Sequence, residues 1–156
     1  MDKQRFLAKI EDAWTSFKAS YEGLTPEQLA APGVAGEWSI KDIFGHVTTW
    51  EEESLKHLPV IATGGQPPRY KDLYGGIDPF NGQMVERKRA LPLEEVMRQL
   101  EDTHRQLMAY IAAAPDELIA TETRFRRRIR WDTYSHYPHH EKIIRDWRAR
   151  SALAEG

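Results

Sequence analysis

Three histidines, His136, His139 and His140, fall within five residues of one another. At about 3.6 residues per turn, positions i and i+4 stand one above the other on a helix, so His136 and His140 can aim both imidazoles at one ion. His139, turned about 100° from His140, faces away from that pair and reads as a bystander. Neutral imidazole nitrogen suits zinc, nickel and iron(II), but two ligands rarely hold an ion, so a third has to come from elsewhere in the chain.

What can supply it is bounded by composition. The chain has no cysteine, which excludes disulfides, thiolate zinc fingers, iron–sulfur clusters and cysteine nucleophiles. Any metal must therefore bind through His, Asp, Glu or water. With 156 residues the chain fits one domain, residues 1–156, large enough to bury a core without a structural metal, so a metal here would serve function. The charged start, Met1-Asp2-Lys3-Gln4-Arg5, does not read as a signal peptide, and no run reaches the roughly 18 apolar residues of a membrane span. A cytoplasmic protein without membrane partners is the expectation. The formal charge of −2, from 22 basic and 24 acidic side chains, gives no reason to expect nucleic acid. Arg124, Arg126, Arg127, Arg128 and Arg130 form a local basic block that reads as a solvated loop or hairpin.

The elements that must position the histidines are helical. Phe6, Ile10, Trp14, Phe17, Tyr21 and Leu24 recur at helical spacing, so a first helix is predicted over about Lys3 to Tyr21. Thr25-Pro26-Glu27-Gln28 opens a short turn, and Ser39 caps a second helix whose stripe is Ile40, Ile43, Phe44 and Val47, ending near His57 before Pro59. Gly64-Gly65, Pro67-Pro68, Gly75-Gly76 and Pro79 mark a long irregular connection up to Phe80. Asn81 to Arg89 reads as helical, and Leu93 to Ala114 as a third long helix. Thr121 to Arg130 reads as a loop or short extended pair, and the last helix as roughly Thr133 to Arg150. The sum is an all-α, four-helix bundle with a long crossover between its second and third long helices.

Four histidines remain as third ligands. His57, at a helix end, reads as a surface residue. His104 lies in an apolar stripe, where a lone histidine is more often hydrogen-bonded in the core than a ligand. His46, beside the stripe of the second helix with Trp50 one turn on and Glu53 about two turns on, is the best third ligand by position. Three histidines leave a coordination position open, the arrangement of a catalytic site. Such an ion can acidify a water or thiol or polarise a carbonyl. Pro138, between the paired histidines, belongs in a first helical turn or at a kink.

Trp38 to Glu51, with its Trp-Ser start leading to His46, resembles the second-helix signature of the DinB/YfiT-like superfamily. Asp132 to His140 resembles its last-helix signature, in which two histidines four apart complete a triad. The resemblance implies up-down-down-up topology and a divalent metal, often nickel or zinc, held by His46, His136 and His140 in a cleft at one end of the bundle. It implies a small-molecule substrate, often a homodimer, and relatives that include S-transferases using a low-molecular-weight thiol and the colibactin-resistance group. The Asn81 to Arg89 segment resembles that group and the maleylpyruvate-isomerase branch, which makes Asn81 a candidate substrate contact.

On this footing the chain is expected to be a metal-dependent transferase or hydrolase, or else a protein that sequesters a small molecule in the same cleft without turnover. Trp50, Tyr134 and Tyr137 are candidates for an aromatic pocket wall. Glu53 or Asp132 is a candidate to orient a ligand imidazole or take a proton. The arginines between 124 and 130 are candidate receptors for the carboxylate or phosphate of a substrate or thiol.

Overall fold

Phe6, Ile10, Trp14 and Phe17 are all buried, and the helix they stripe, α1, spans Lys3–Ser20 in the computed structural model, which describes the backbone of residues 1–155 and the side chains of residues 1–152. Asp2 caps it by accepting from the Arg5 N–H at 2.8 Å. α2 (Pro26–Ala30) opens with a capping box between Thr25 and Gln28. α3 (Ile40–Ala62) opens with another, Ser39 and Asp42 each accepting from the other's backbone N–H. α4 (Tyr70–Tyr74), α5 (Ile77–Arg89), α6 (Leu93–Ala113), α7 (Glu117–Ala120), α8 (Arg124–Asp132) and α9 (Tyr137–Glu155) follow.

The direction of each long helix can be read from its side-chain partners. Along α1 and α9 the numbers rise together: Phe6 meets Tyr134, Ser16 donates to Glu141 at 2.8 Å, and Arg148 donates to the Ser20 carbonyl at 3.0 Å, so the two run parallel. Along α1 and α6 they run opposed, with Lys3 at Ala112, Glu11 at His104 and Lys18 at Glu101. α3 opposes α9, since His46 meets His140, the later Glu51 meets the earlier Tyr137, and Ser54, later still, meets Asp132 just ahead of α9. The order is therefore up (α1), down (α3), down (α6), up (α9), with α4 and α5 inside the crossover. No strand occurs among the described residues, and none of their helices is long and apolar enough to cross a membrane.

One buried cluster joins the long helices, including Phe6, Phe17, Phe44, Leu107, Ile129 and Ile144. Each such side chain contributes about 1.5–3 kcal/mol when buried, so the frame rests on apolar packing and not on the histidines.

Several elements differ from the expectation. α3 does not stop at His57 but continues through Pro59 to Ala62; fully buried Leu58 anchors that last turn, and the missing proline N–H forfeits one bond near the end of the helix. The crossover is not wholly irregular: α4 forms and is ended by Gly75 at φ 84, a left-handed conformation that suits glycine, and α5 starts at Ile77, earlier than Asn81. Thr121 to Arg130 is largely helix, capped by Thr123 and seated by buried Phe125 and Ile129. The last helix starts at Tyr137, after a turn in which the N–H groups of His136 and Tyr137 both donate to the Thr133 carbonyl at 2.8 Å. Pro138 thereby falls in the first turn, where no donor is required.

Candidate metal centre

That turn decides how the histidines meet. His136 stands immediately before α9, and its carbonyl accepts the His140 N–H at 3.4 Å, so the pair keeps its i, i+4 relation across the helix start. His46 comes from the second turn of α3, whose entry is fixed by the capping box and by Arg89 of α5, both 3.3 Å contacts falling on the Asp42 carboxylate. The Nε2 atoms then converge: His136 to His46 is 3.1 Å and His140 to His136 is 3.0 Å. No other group of three His, Asp or Glu side chains among the described residues converges in this way.

The triad suits a divalent ion. Metal–nitrogen bonds of about 2.0–2.1 Å place neighbouring ligands about 2.9 Å apart at an octahedral right angle and about 3.3 Å apart in a tetrahedron, which brackets the separations found. Burial, followed by the mutual repulsion of the histidines, lowers the pKa of each of His46, His136 and His140 to about 3. All three are thus neutral at physiological pH, the form that ligates. His46 and His136 line a cavity of ≈ 260 Å³ together with Trp50, Ile77, Asn81, Trp131 and Asp132, whereas His140 lies behind. A larger depression of ≈ 830 Å³, beside Asp42 and Arg89, contains none of the histidines.

The remaining expected residues are placed as follows. Trp50 walls the cleft and donates from Nε1 to Asn81 Oδ1 at 2.8 Å, so these two act as one unit. Asp132 borders the cleft but accepts from Ser54 Oγ and, at 2.7 Å, from Arg128 Nε. Burial pushes its carboxyl above the ordinary range, and Arg128 opposes that shift. Glu53 lies outside, accepting from Tyr70 Oη at 3.1 Å with His57 Nε2 at 3.4 Å. Neither carboxylate reaches a ligand imidazole, and His136 Nδ1 and His140 Nδ1 are buried without a hydrogen-bond partner among the described residues. Tyr134 packs on Phe6 under Lys9, and Tyr137 is fully buried beside Glu51, so neither lines the cleft. His139 is exposed. His57, expected at the surface, is buried because α3 continues past it and Tyr70 covers it edge-on.

Sequence reasoning missed Trp131, 61% exposed at the mouth of the cleft, and Glu51, which is fully buried. Glu51 accepts from Tyr137 Oη and lies 3.1 Å from His104 Nδ1, while His104 Nε2 is 2.9 Å from Glu11 and its ring stacks 3.8 Å from that of Trp14. Burial alone would lower the His104 pKa, but the two flanking carboxylates outweigh it and raise it. The signal for Glu51 was its register: Val47, Glu51, Ser54 and Leu58 continue the buried stripe of α3 at steps of four, three and four.

Solved structures with this fold are similar along nearly their whole length. The colibactin self-resistance protein ClbS, crystallised with double-stranded DNA, matches with a TM-score of 0.77 at 16% identity, covering 93% of this chain and 94% of that one. The sibling lethal factor precursor DfsB matches at 0.78 and 16%, covering 97% of each chain. An uncharacterised protein from Escherichia coli UTI89 matches at 0.77 and 17%, covering 97% of this chain and 95% of that one. At such identities the likeness speaks for the fold alone. Comparison with curated protein sequences finds no match. The profile of the DinB superfamily matches residues 9–143, a span that takes in both halves of the histidine triad, and the chain belongs to that superfamily.

Proposed function

We propose that this protein is a metal-dependent enzyme acting on a small molecule, of the thiol S-transferase or hydrolase type, with nickel or zinc held by His46, His136 and His140. The observation that carries the reading is the convergence of three neutral imidazole Nε2 atoms, with His46 and His136 lining a cleft large enough for part of a substrate. The ion would supply Lewis acidity toward a group bound in that cleft. The chain's own residues bind and orient. Trp131 and Ile77 give the entrance apolar walls, and Trp50, fixed by Asn81, gives a rigid aromatic face. Buried Asp132 accepts from Arg128 and Ser54, so it braces that wall instead of offering a free base. A homodimer belongs to the same proposal and is checked by sedimentation.

One observation favours a second reading, a binding or sequestering protein without turnover. Among the described residues the cleft's only carboxylate, Asp132, is already engaged by Ser54 and Arg128. Electrophilic small molecules incubated with metal-loaded protein, with and without glutathione, mycothiol or bacillithiol, separate the two. Turnover that disappears in His46→Ala supports the enzyme. Stoichiometric binding without product supports sequestration, and turnover that needs neither metal nor thiol contradicts the proposed chemistry.

A further inference from the structure

The five arginines of α8 are sorted by helical spacing. Phe125, Ile129 and Asp132 form the buried side. Arg126 and Arg130 share a second side, and both donate to Glu122, at 3.0 and 3.1 Å. Arg124, Arg127, Arg128 and Trp131, at i, i+3, i+4 and i+7, form the third, which with Arg69 and the Pro67-Pro68 pair encloses a cavity of ≈ 270 Å³.

The positive charge in this cavity is poorly compensated. Arg128 has Asp132 at 2.7 Å, but the carboxylate nearest Arg127 is Glu122 at 3.8 Å. Arg124 donates to the Gly65 carbonyl at 3.0 Å, and neither it nor Arg69 has an acidic partner among the described residues. Guanidinium groups held this close repel one another, and their planar forks match a carboxylate or phosphate. The cavity neighbours the metal cleft: Trp131 lines both, and Arg128 Cζ stands 5.8 Å over the ring of Trp50. Each is below the roughly 300–1,000 Å³ usual for ligand pockets, a size that the two reach when one ligand spans both.

We propose that this cavity is an anion subsite continuous with the metal cleft. It takes the carboxylate or phosphate of a small molecule whose aromatic or apolar body lies along Trp131, with the other end directed at His46 and His136. That direction rests on the metal-site reading; the anion subsite itself does not. A nucleic-acid backbone suits the surface less well, because Glu122 lies beside Arg127, Asp78 follows cleft-lining Ile77, and the net charge is −2, whereas a duplex calls for an unbroken positive track.

Calorimetric titration of chelator-treated protein with 1-naphthyl phosphate, 1-naphthoate and neutral 1-naphthol tests this, the two anions telling phosphate from carboxylate preference. The expected result is that at least one anion binds about tenfold or more tighter than 1-naphthol. That preference disappears in Arg69→Ala/Arg124→Ala, or in Arg127→Glu should the double variant not fold, and survives in His140→Ala. Trp131→Ala weakens all three ligands. Anions bound no tighter than 1-naphthol, or bound equally by folded arginine variants, would overturn the subsite whatever becomes of the metal. A short DNA duplex that binds through these arginines when naphthyl phosphate does not would overturn it in favour of a nucleic-acid surface. Loss of metal binding in the wild type with the anion preference intact would leave the subsite standing and remove only the metal reading.

Discussion

At the scale of single residues, the centre depends on where protons and charges are allowed to sit. His46, His136 and His140 keep their lone pairs because burial disfavours their charged form, whereas the flanking Glu51 and Glu11 raise the pKa of His104 against the same burial. Replacing His104 by alanine leaves the buried Glu51 carboxyl without its basic partner and should cost about 3–5 kcal/mol at neutral pH, measured by urea unfolding. A loss below about 1 kcal/mol would show that the pair carries little. His136 and His140 were legible as a pair from spacing alone. Glu51 was not, because it stands first of three consecutive glutamates and only its register with Val47 and Leu58 sets it on the buried stripe. Nor could spacing join His46 to His136, which lie far apart in the chain and meet only through tertiary packing.

At the scale of elements, the turn ahead of α9 and the cap of α3 aim the ligands. Ser39→Ala removes the acceptor for the Asp42 N–H and should cost about 1 kcal/mol, read as a lower melting temperature. Metal affinity should change little, because Arg89 still holds Asp42; a large loss of affinity would mean that the cap itself sets the position of His46. The four long helices were legible because their apolar stripes repeat over many turns. α8 was not: its nine residues offer only Phe125 and Ile129 as buried apolar anchors among five arginines, so the segment read as a loop or short extended pair. That reading also hid the face shared by Arg124, Arg127, Arg128 and Trp131. Pro59 misled in the opposite direction, since burial of Leu58 outweighs the one hydrogen bond that proline forfeits.

For the whole molecule, the two kinds of histidine respond to pH in opposite directions. In metal-free protein the triad binds protons only near pH 3 when folded but near 6.5 when unfolded, so folded stability is lost as pH falls below about 6.5. His104 has a raised folded pKa, so its contribution is complete below 6.5 and is lost as pH rises through that raised value. Melting temperatures of chelator-treated protein should therefore pass through a maximum, and His104→Ala should flatten the alkaline side alone. A profile unchanged on that side would remove His104 from the account. An added divalent ion at about a hundred times its Kd should stabilise the fold by about 2.7 kcal/mol, checked by the same melts.

If three histidines from two distant segments form one metal site, the metal content of tag-free protein loaded with nickel or zinc and then freed of excess reports it. The expected result is about one ion per chain in the wild type and none in His46→Ala or His140→Ala variants that retain their helical circular dichroism. A wild-type chain that takes up no metal, or folded variants that keep it, would rule out a three-histidine site.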